Sequence, residues 1–270
     1  MTAARPPATE VPGPDDLPGL RGPRPEDAVL ELRGVSVVRG GHRALDDVHL
    51  AVRSGERVAL LGPSGAGKST LLALLSGAAE PDTGEVLLFG EDLAAVGHRR
   101  RRALAARVGA LTQDLDLVEH VRVLHNVAAG RLGRVPLHSA LLRLLTARAD
   151  DEVRAVLAQV QLPWALHART QNLSGGERQR VAVARLLMQR AEAVLADEPA
   201  SSLDPTTARE VLELLRDSAT TGTTVVSLHQ PEAARHTFTR VVGLRRGRVV
   251  LDLPPARLTD DRLDELYARA

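Results

Sequence analysis

Leu60-Leu61-Gly62-Pro63-Ser64-Gly65-Ala66-Gly67-Lys68-Ser69-Thr70 decides how this chain is read. It fits G-x-x-x-x-G-K-[ST], the phosphate-binding loop. Its surroundings agree. Arg57-Val58-Ala59-Leu60-Leu61 reads as a short buried strand, and Ser69 to Leu75 as the first turns of a helix. Gly62, Gly65 and Gly67 let the backbone curl so that successive N–H groups face one anion. The following helix aims its positive end at the same place. In such a loop Lys68 reaches the β- and γ-phosphates and Ser69 ligates Mg²⁺.

Composition sharpens the point. Lys68 is the single lysine among 35 basic residues; the other 34 are arginine. An ammonium is a compact point charge on a thin stem, whereas a guanidinium is a wide flat fork. Only the former fits inside a closed ring of amides.

The bulk numbers bound the rest. At 270 residues, with 44% hydrophobic and 26% charged content, the chain is an ordinary globular protein of one or two domains. A net charge of +1 gives no strong pull toward nucleic acid or a membrane surface. The absence of cysteine excludes disulfides and thiolate metal sites. No apolar run approaches the ~20 residues of a membrane span, and the N-terminus lacks the apolar segment of a signal peptide. The expected location is therefore the cytoplasm. Aromatics make up 1%, so the core must be Leu, Val and Ala.

Residues 1–27 contain seven prolines and almost no periodicity, the composition of a flexible tail. Order is expected from Ala28 onward. Val29–Leu32 and Val48–Val52 alternate, and with Arg57–Leu61 they predict an antiparallel start to a sheet. Glu85 to Phe89 adds a strand after the turn Pro81-Asp82-Thr83-Gly84. His98-Arg99-Arg100-Arg101-Arg102 opens a solvated helix running to Arg107. Val108 to Leu111 is a strand that ends at Thr112-Gln113. Asp114 to Asn172 reads as helical, with Val153, Val156, Leu157 and Val160 on one face and no strand signal. It is the core of a helical subdomain, about residues 114–190, inserted into an α/β frame.

That insertion carries a second motif, Leu173-Ser174-Gly175-Gly176-Glu177-Arg178-Gln179. Ser174 and Glu177 form S-x-x-E, a capping box. Two glycines in a first turn each weaken the helix by about 1 kcal/mol. They make sense where a ligand oxygen must approach bare N–H groups, a second anion site. Ala193-Val194-Leu195-Ala196-Asp197-Glu198 follows as a buried strand ending in two acids. Asp197 suits Mg²⁺, and Glu198 suits the polarisation of a water in line with the γ-phosphate. Ser202-Leu203-Asp204-Pro205 starts a helix with Asp204 as cap. Thr223 to Leu228 delivers His229 to the same sheet edge.

Together these residues resemble the nucleotide-binding subunits of ABC transporters, over about residues 29–268. Six motifs in the family's order carry the likeness: Gly62–Thr70, Gln113, Leu173–Gln179, Val194–Glu198, Ser202–Asp204 and His229. The resemblance implies a P-loop ATPase core over 28–270, α/β with a mixed sheet, an antiparallel β-subdomain and the helical insertion. It implies ATP and Mg²⁺, bound between two subunits packed head to tail. One contributes Gly62–Thr70, and the other contributes Ser174-Gly175-Gly176 with Glu177. By the same likeness Glu198 is the general base and His229 contacts the γ-phosphate. Lys68 holds the phosphates, Gln113 senses Mg²⁺ and the membrane partner, and Asp204 communicates across the dimer. Implied partners are an integral membrane permease and, through it, an extracytoplasmic solute-binding protein, at the cytoplasmic face of the membrane; no nucleic acid is implied.

Asn126–Gly133, Leu228-His229-Gln230 and Arg262–Ala268 are most similar to the phosphonate-import ATPases. Phosphonate or a related small oxyanion is then the expected cargo. Another importer, an export or lipoprotein-release complex, a soluble ABC ATPase and a P-loop kinase are the alternatives. The chain departs from that group at Glu177, Thr112 and Leu115. It also carries Arg39 where the family stacks adenine on an aromatic; a guanidinium plane stacks on a base as well.

Overall fold

Gly40 and Gly41 both sit at positive φ, 56° and 79°, and turn the first strand straight back on itself. A two-residue turn with both φ values positive matches the natural twist of the strands it joins. The strands are β1 (Ala28–Arg39) and β2 (His42–Arg53). The computed structural model describes residues 28–132 and 147–268, apart from 202, 217 and 220. The tail expected over 1–27, Gly133 and Ser202 lie outside the described residues.

The remaining strands are β3 (Arg57–Leu61), β4 (Thr83–Leu88), β5 (Glu91–Asp92), β6 (Val108–Leu111), β7 (Ala193–Asp197), β8 (Thr223–Ser227), β9 (Arg240–Arg245) and β10 (Arg248–Leu253). The helices are α1 (Lys68–Leu75), α2 (His98–Ala105), α3 (Val123–Ala128), α4 (Ala147–Gln159), α5 (Gly175–Gln189), α6 (Pro205–Arg216), α7 (Pro231–Thr237) and α8 (Asp260–Tyr267).

Two sheets result. One is antiparallel, in the order β2-β1-β4-β5. The other runs β10-β9-β3-β8-β7-β6, parallel except for the β9–β10 hairpin. The expectation that Arg57–Leu61 continues an antiparallel sheet is corrected here. β3 lies in the parallel sheet between β8 and β9. Its sequence, RVALL, is apolar on both faces, as a strand covered on both sides must be.

Alternation distributes that sheet between two cores. Val58, Leu60, Leu195, Val225 and Val242 pack with the antiparallel sheet and α1. Ala59, Leu61, Val194, Ala196, Val226 and Val241 pack with the helices on the other face. Arg240 joins the sheets. It reaches Ala51 O at 2.8 Å, Glu56 at 3.0 Å and Asp252 at 2.6 Å. Burial is the largest single influence and lowers its pKa, but the two carboxylates together outweigh it and raise the value.

The 114–172 stretch is less regular than expected. Its described residues hold, besides α3 and α4, 3₁₀ turns at Ala129–Arg131, Pro163–His167 and Thr170–Asn172, and an isolated bridge pairs Arg122 with Arg169. Asn126, buried, accounts for part of this. It accepts from Val118 N–H and donates to Val118 O and Thr170 Oγ1, holding extended chain where a helix would leave no partner. Val153, Leu157 and Val160 are buried as their spacing predicts. α2 stops at Ala105, two residues short of Arg107, which turns away to stack its guanidinium 3.6 Å above the Phe89 ring.

Candidate functional site

The phosphate-binding loop is gripped from both sides. Gly247, in the β9–β10 turn, donates its N–H to Ala66 O at 3.0 Å and accepts from Asp46 N–H at 2.9 Å, so that turn ties the loop to β2. Two glycines are required by this crowding. A Cβ at Gly67, φ 106°, would run into the Ala44 carbonyl oxygen. One at Gly62, φ 147°, would strike that of Leu244. Lys68 is 7% exposed, and its ammonium donates to Gly62 O at 2.7 Å and Pro63 O at 3.2 Å. Ser64, Gly65 and Ser69 face solvent, Pro63 and Thr70 are half-buried, and Ala66 is buried.

Strand order gathers the other candidates. Leu111 pairs with Ala196, Asp197 with Ser227, and Ser227 with Leu60. The chain therefore leaves β6 toward Gln113, β7 toward Glu198, β8 toward His229 and β3 toward Gly62 along one C-terminal edge. That is the position where α/β sheets hold ligands. Ser69, Gln113 and Asp197 line the same cavity of about 250 Å³. His229 is exposed at the end of its strand.

The acidic pair is held by a residue that spacing alone does not single out. Ser227, fully buried, donates its hydroxyl to Asp197 Oδ1 at 2.5 Å and accepts the Glu198 N–H at 2.8 Å. Glu198 sits at φ 47°, a left-handed conformation that costs a non-glycine residue roughly 1–2 kcal/mol. Its carboxylate makes no ion pair or hydrogen bond among the described residues.

The second motif begins α5. Ser174 N–H and Oγ donate to Glu177 Oε2 at 2.7 and 2.8 Å, and Glu177 N–H donates to Ser174 Oγ at 3.3 Å, a complete capping box. The Ser174 hydroxyl and N–H hold the Glu177 carboxyl below the usual carboxylate range. A Cβ at Gly175 would meet open space, so the packing of this chain does not demand glycine there. Two further side chains tie α5 to the strand edge. Gln179 donates to Pro199 O, just beyond Glu198. Arg185 donates to Leu115 O at 2.7 Å and to Asp116 O, two residues at φ 61° and 48° in the loop after Gln113. Burial lowers the Arg185 pKa.

Asp204 caps α6. Its Oδ1 accepts from Thr206 N–H and Thr207 N–H, both at 3.1 Å, and the Thr207 hydroxyl and amide depress its pKa. Arg39 is exposed at the tip of the β1–β2 hairpin. Among the described residues no hydrogen bond or ion pair joins the Ser174-Gly175-Gly176 turn to the phosphate-binding loop of the same chain. Gln179 closes the second sequence motif, whereas no motif marks Ser227 or Arg185; each of the three acts on a partner at least 19 residues away. A serine closing a β-branched strand beside an acid-terminated one was the available signal for Ser227.

Comparison with known proteins agrees with this geometry. A family model described as ABC transporter matches residues 45–201, more than half of the chain. A phosphonates import ATP-binding protein of Anaeromyxobacter dehalogenans is 46% identical over 260 residues; they cover 96% of this chain, and the chain spans about half, 51%, of that relative. One from Pseudomonas putida is 45% identical over 90% of this chain and 91% of its own. A hypophosphite import ATP-binding protein of Stutzerimonas stutzeri is 41% identical over 90% of this chain and 72% of its own. A solved dimeric ATP-binding cassette, in a post-hydrolysis state with ADP and phosphate, superposes with a TM-score of 0.70 at 28% identity, over 84% of this chain and 98% of that one. The chain belongs to the ABC transporter family, as one of its ATP-binding subunits.

Proposed function

We propose that this subunit hydrolyses ATP to drive import of phosphonate or a related small phosphorus oxyanion. The observation that carries the ATPase half is the convergence of Gly62, Gln113, Asp197–Glu198 and His229 on one sheet edge. The cargo half rests on relatives named for phosphonate and hypophosphite import.

In this reading the amides of Gly62–Thr70 and the Lys68 ammonium hold the β- and γ-phosphates. Ser69, Gln113 and Asp197 offer a hydroxyl, an amide oxygen and a carboxylate around one cavity, a hard-oxygen set that fits Mg²⁺. When bound, that ion would neutralise phosphate charge. Glu198 takes a proton from the attacking water, and its strained backbone, pinned by Ser227, fixes where its carboxylate points. His229 lies where the γ-phosphate ends, and Arg39 stacks on the adenine.

Ser174-Gly175-Gly176, with Glu177 as its cap, closes over the nucleotide of a second copy packed head to tail, and Asp204 signals across that interface. The open space over Gly175 supports an approach from outside this chain. Residues 28–270 form the nucleotide-binding domain, its helical part spanning about 114–190, with 1–27 as a tail. The subunit works at the cytoplasmic face of the membrane on permease subunits fed by a solute-binding protein. Among the described residues no helix is long and apolar enough to cross a membrane.

Glu198→Gln provides the test. It is expected to bind ATP, to slow turnover by on the order of 10²–10³, and to accumulate as a dimer in gel filtration with light scattering. A monomer with normal turnover would overturn the reading. Phosphonate-dependent uptake by the assembled transporter, absent with phosphorus-free organic acids, checks the cargo.

A further inference from the structure

The phosphate-binding loop leans on a turn from the far end of the chain. Gly247, between β9 and β10, donates its N–H to Ala66 O at 3.0 Å, and its own O accepts the Asp46 N–H at 2.9 Å. The fit is tight. A Cβ on Gly247 would come within 2.9 Å of Ala44 O, and one on Gly67 would strike the same oxygen. Ala44 and Asp46 of β2 thus set where both the turn and the loop can lie. Yet β2 and β10 belong to different sheets, so no strand ladder keeps them in register.

The Asp46 side chain supplies a tie. Its Oδ1 accepts from Arg43 Nη1 at 2.5 Å and its Oδ2 from Arg248 Nε at 2.8 Å, with Arg248 Nη2 2.7 Å from the same oxygen. The Asp46 side chain is 15% exposed, against 67% and 66% for the two arginines. Hydrogen bonds from Arg248 and then from Arg43 hold its carboxyl below the usual carboxylate range. A lone ion pair at a surface counts for little; here two converge on a half-buried carboxylate whose backbone is already fixed. Arg248 follows Gly247 directly, so Asp46 grips the turn at two adjacent points, by its N–H and by its carboxylate.

We propose that Asp46 is a positioning residue for nucleotide binding, holding through Gly247 and Arg248 the turn that aims the amides of the phosphate-binding loop. This rests on the reading of Gly62–Thr70 as the ATP site. Two effects of Asp46 oppose each other. A bare negative charge near an anion site repels the ligand. A brace strengthens binding, because a loop that is well formed only part of the time binds with an affinity reduced by that fraction. The geometry favours the brace: both carboxylate oxygens are occupied by arginines, and the loop is reached through main-chain hydrogen bonds.

Asp46→Asn keeps the shape and the N–H and removes the charge. In the full-length protein, isothermal titration should show Kd for ATP rising about fivefold, and KM should rise with it while kcat falls by less than about twofold. Without nucleotide, hydrogen exchange at residues 246–248 should quicken. Arg248→Gln should reproduce both effects, and adding Asp46→Asn to it should change little, since the two substitutions break one contact. Salt at ~0.5 M should narrow the gap between wild type and variant by screening the exposed arginines. Tighter or unchanged ATP binding by Asp46→Asn overturns the proposal, and so does weaker binding with exchange at the turn unaltered. A variant whose melting temperature drops and whose kcat falls as far as its affinity is merely unstable, which overturns it equally. If wild-type protein binds no ATP, the reading of the loop itself fails.

Discussion

Lys68 shows how closely a single side chain is specified. The residue is 7% exposed, and its ammonium touches two carbonyl oxygens of its own loop. Lys68→Arg keeps the charge but puts a forked plane where a point charge fits, and isothermal titration should show ATP affinity falling at least about tenfold. Ser227 is specified by what it joins. Ser227→Ala removes the donor to Asp197 and leaves the Glu198 N–H unpaired in a buried place. Unfolding by urea should show a loss of about 1–3 kcal/mol, and kcat should fall with it. At this scale sequence reading succeeds where chemistry is local. The loop, the paired acids and the capping box are contiguous runs. Ser227 reads as one more strand residue, because its partner Asp197 lies 30 residues away and enters only through the register of two parallel strands.

Helix starts carry the pH sensitivity. Glu177 and Asp204 both have pKa values below their ordinary ranges, because each carboxylate accepts hydrogen bonds at the head of a helix. A depressed pKa contributes stability that is full above the unfolded value and is lost as pH falls through the folded one. The start of α5 should therefore begin to loosen as pH falls below 4.5, the ordinary value for Glu177, and that of α6 below 3.8, the ordinary value for Asp204. Hydrogen exchange at residues 175–178 and 206–208 reads this directly, and Ser174→Ala should reproduce the α5 half at neutral pH at a cost of about 1 kcal/mol. Most elements were legible from periodicity: β6, α5, β7 and β8 fall where alternation and capping put them. The glycine pair Gly40-Gly41 is itself a hairpin signal, whereas the 3₁₀ turns near Asn126 are not legible, since a buried amide that holds extended chain leaves no periodic trace.

At the largest scale two sheets share one of the two apolar cores, and Arg240 is a polar tie between them. Its side chain is 14% exposed and serves two carboxylates and a carbonyl. Arg240→Met should lower stability by about 2 kcal/mol through the groups it strands, while saturating ATP still binds; thermal melts with and without nucleotide separate the two effects. Sheet membership is the level at which sequence reading failed. β3 follows β2 after only three residues yet pairs with strands more than 160 residues downstream. Its continuous apolar pattern marked it as covered on both faces but named no neighbour.

That pairing fixes an order of events during synthesis. Both strands that flank β3, and the Gly247 turn that braces Ala66, come from the last fifth of the chain. A polypeptide still threaded in the ribosome holds all nine residues of the nucleotide grip, Gly62–Thr70, without a surface to shape them. Competence for ATP arrives only when the C-terminal strands slot in on either side, so truncated copies are silent rather than half-active.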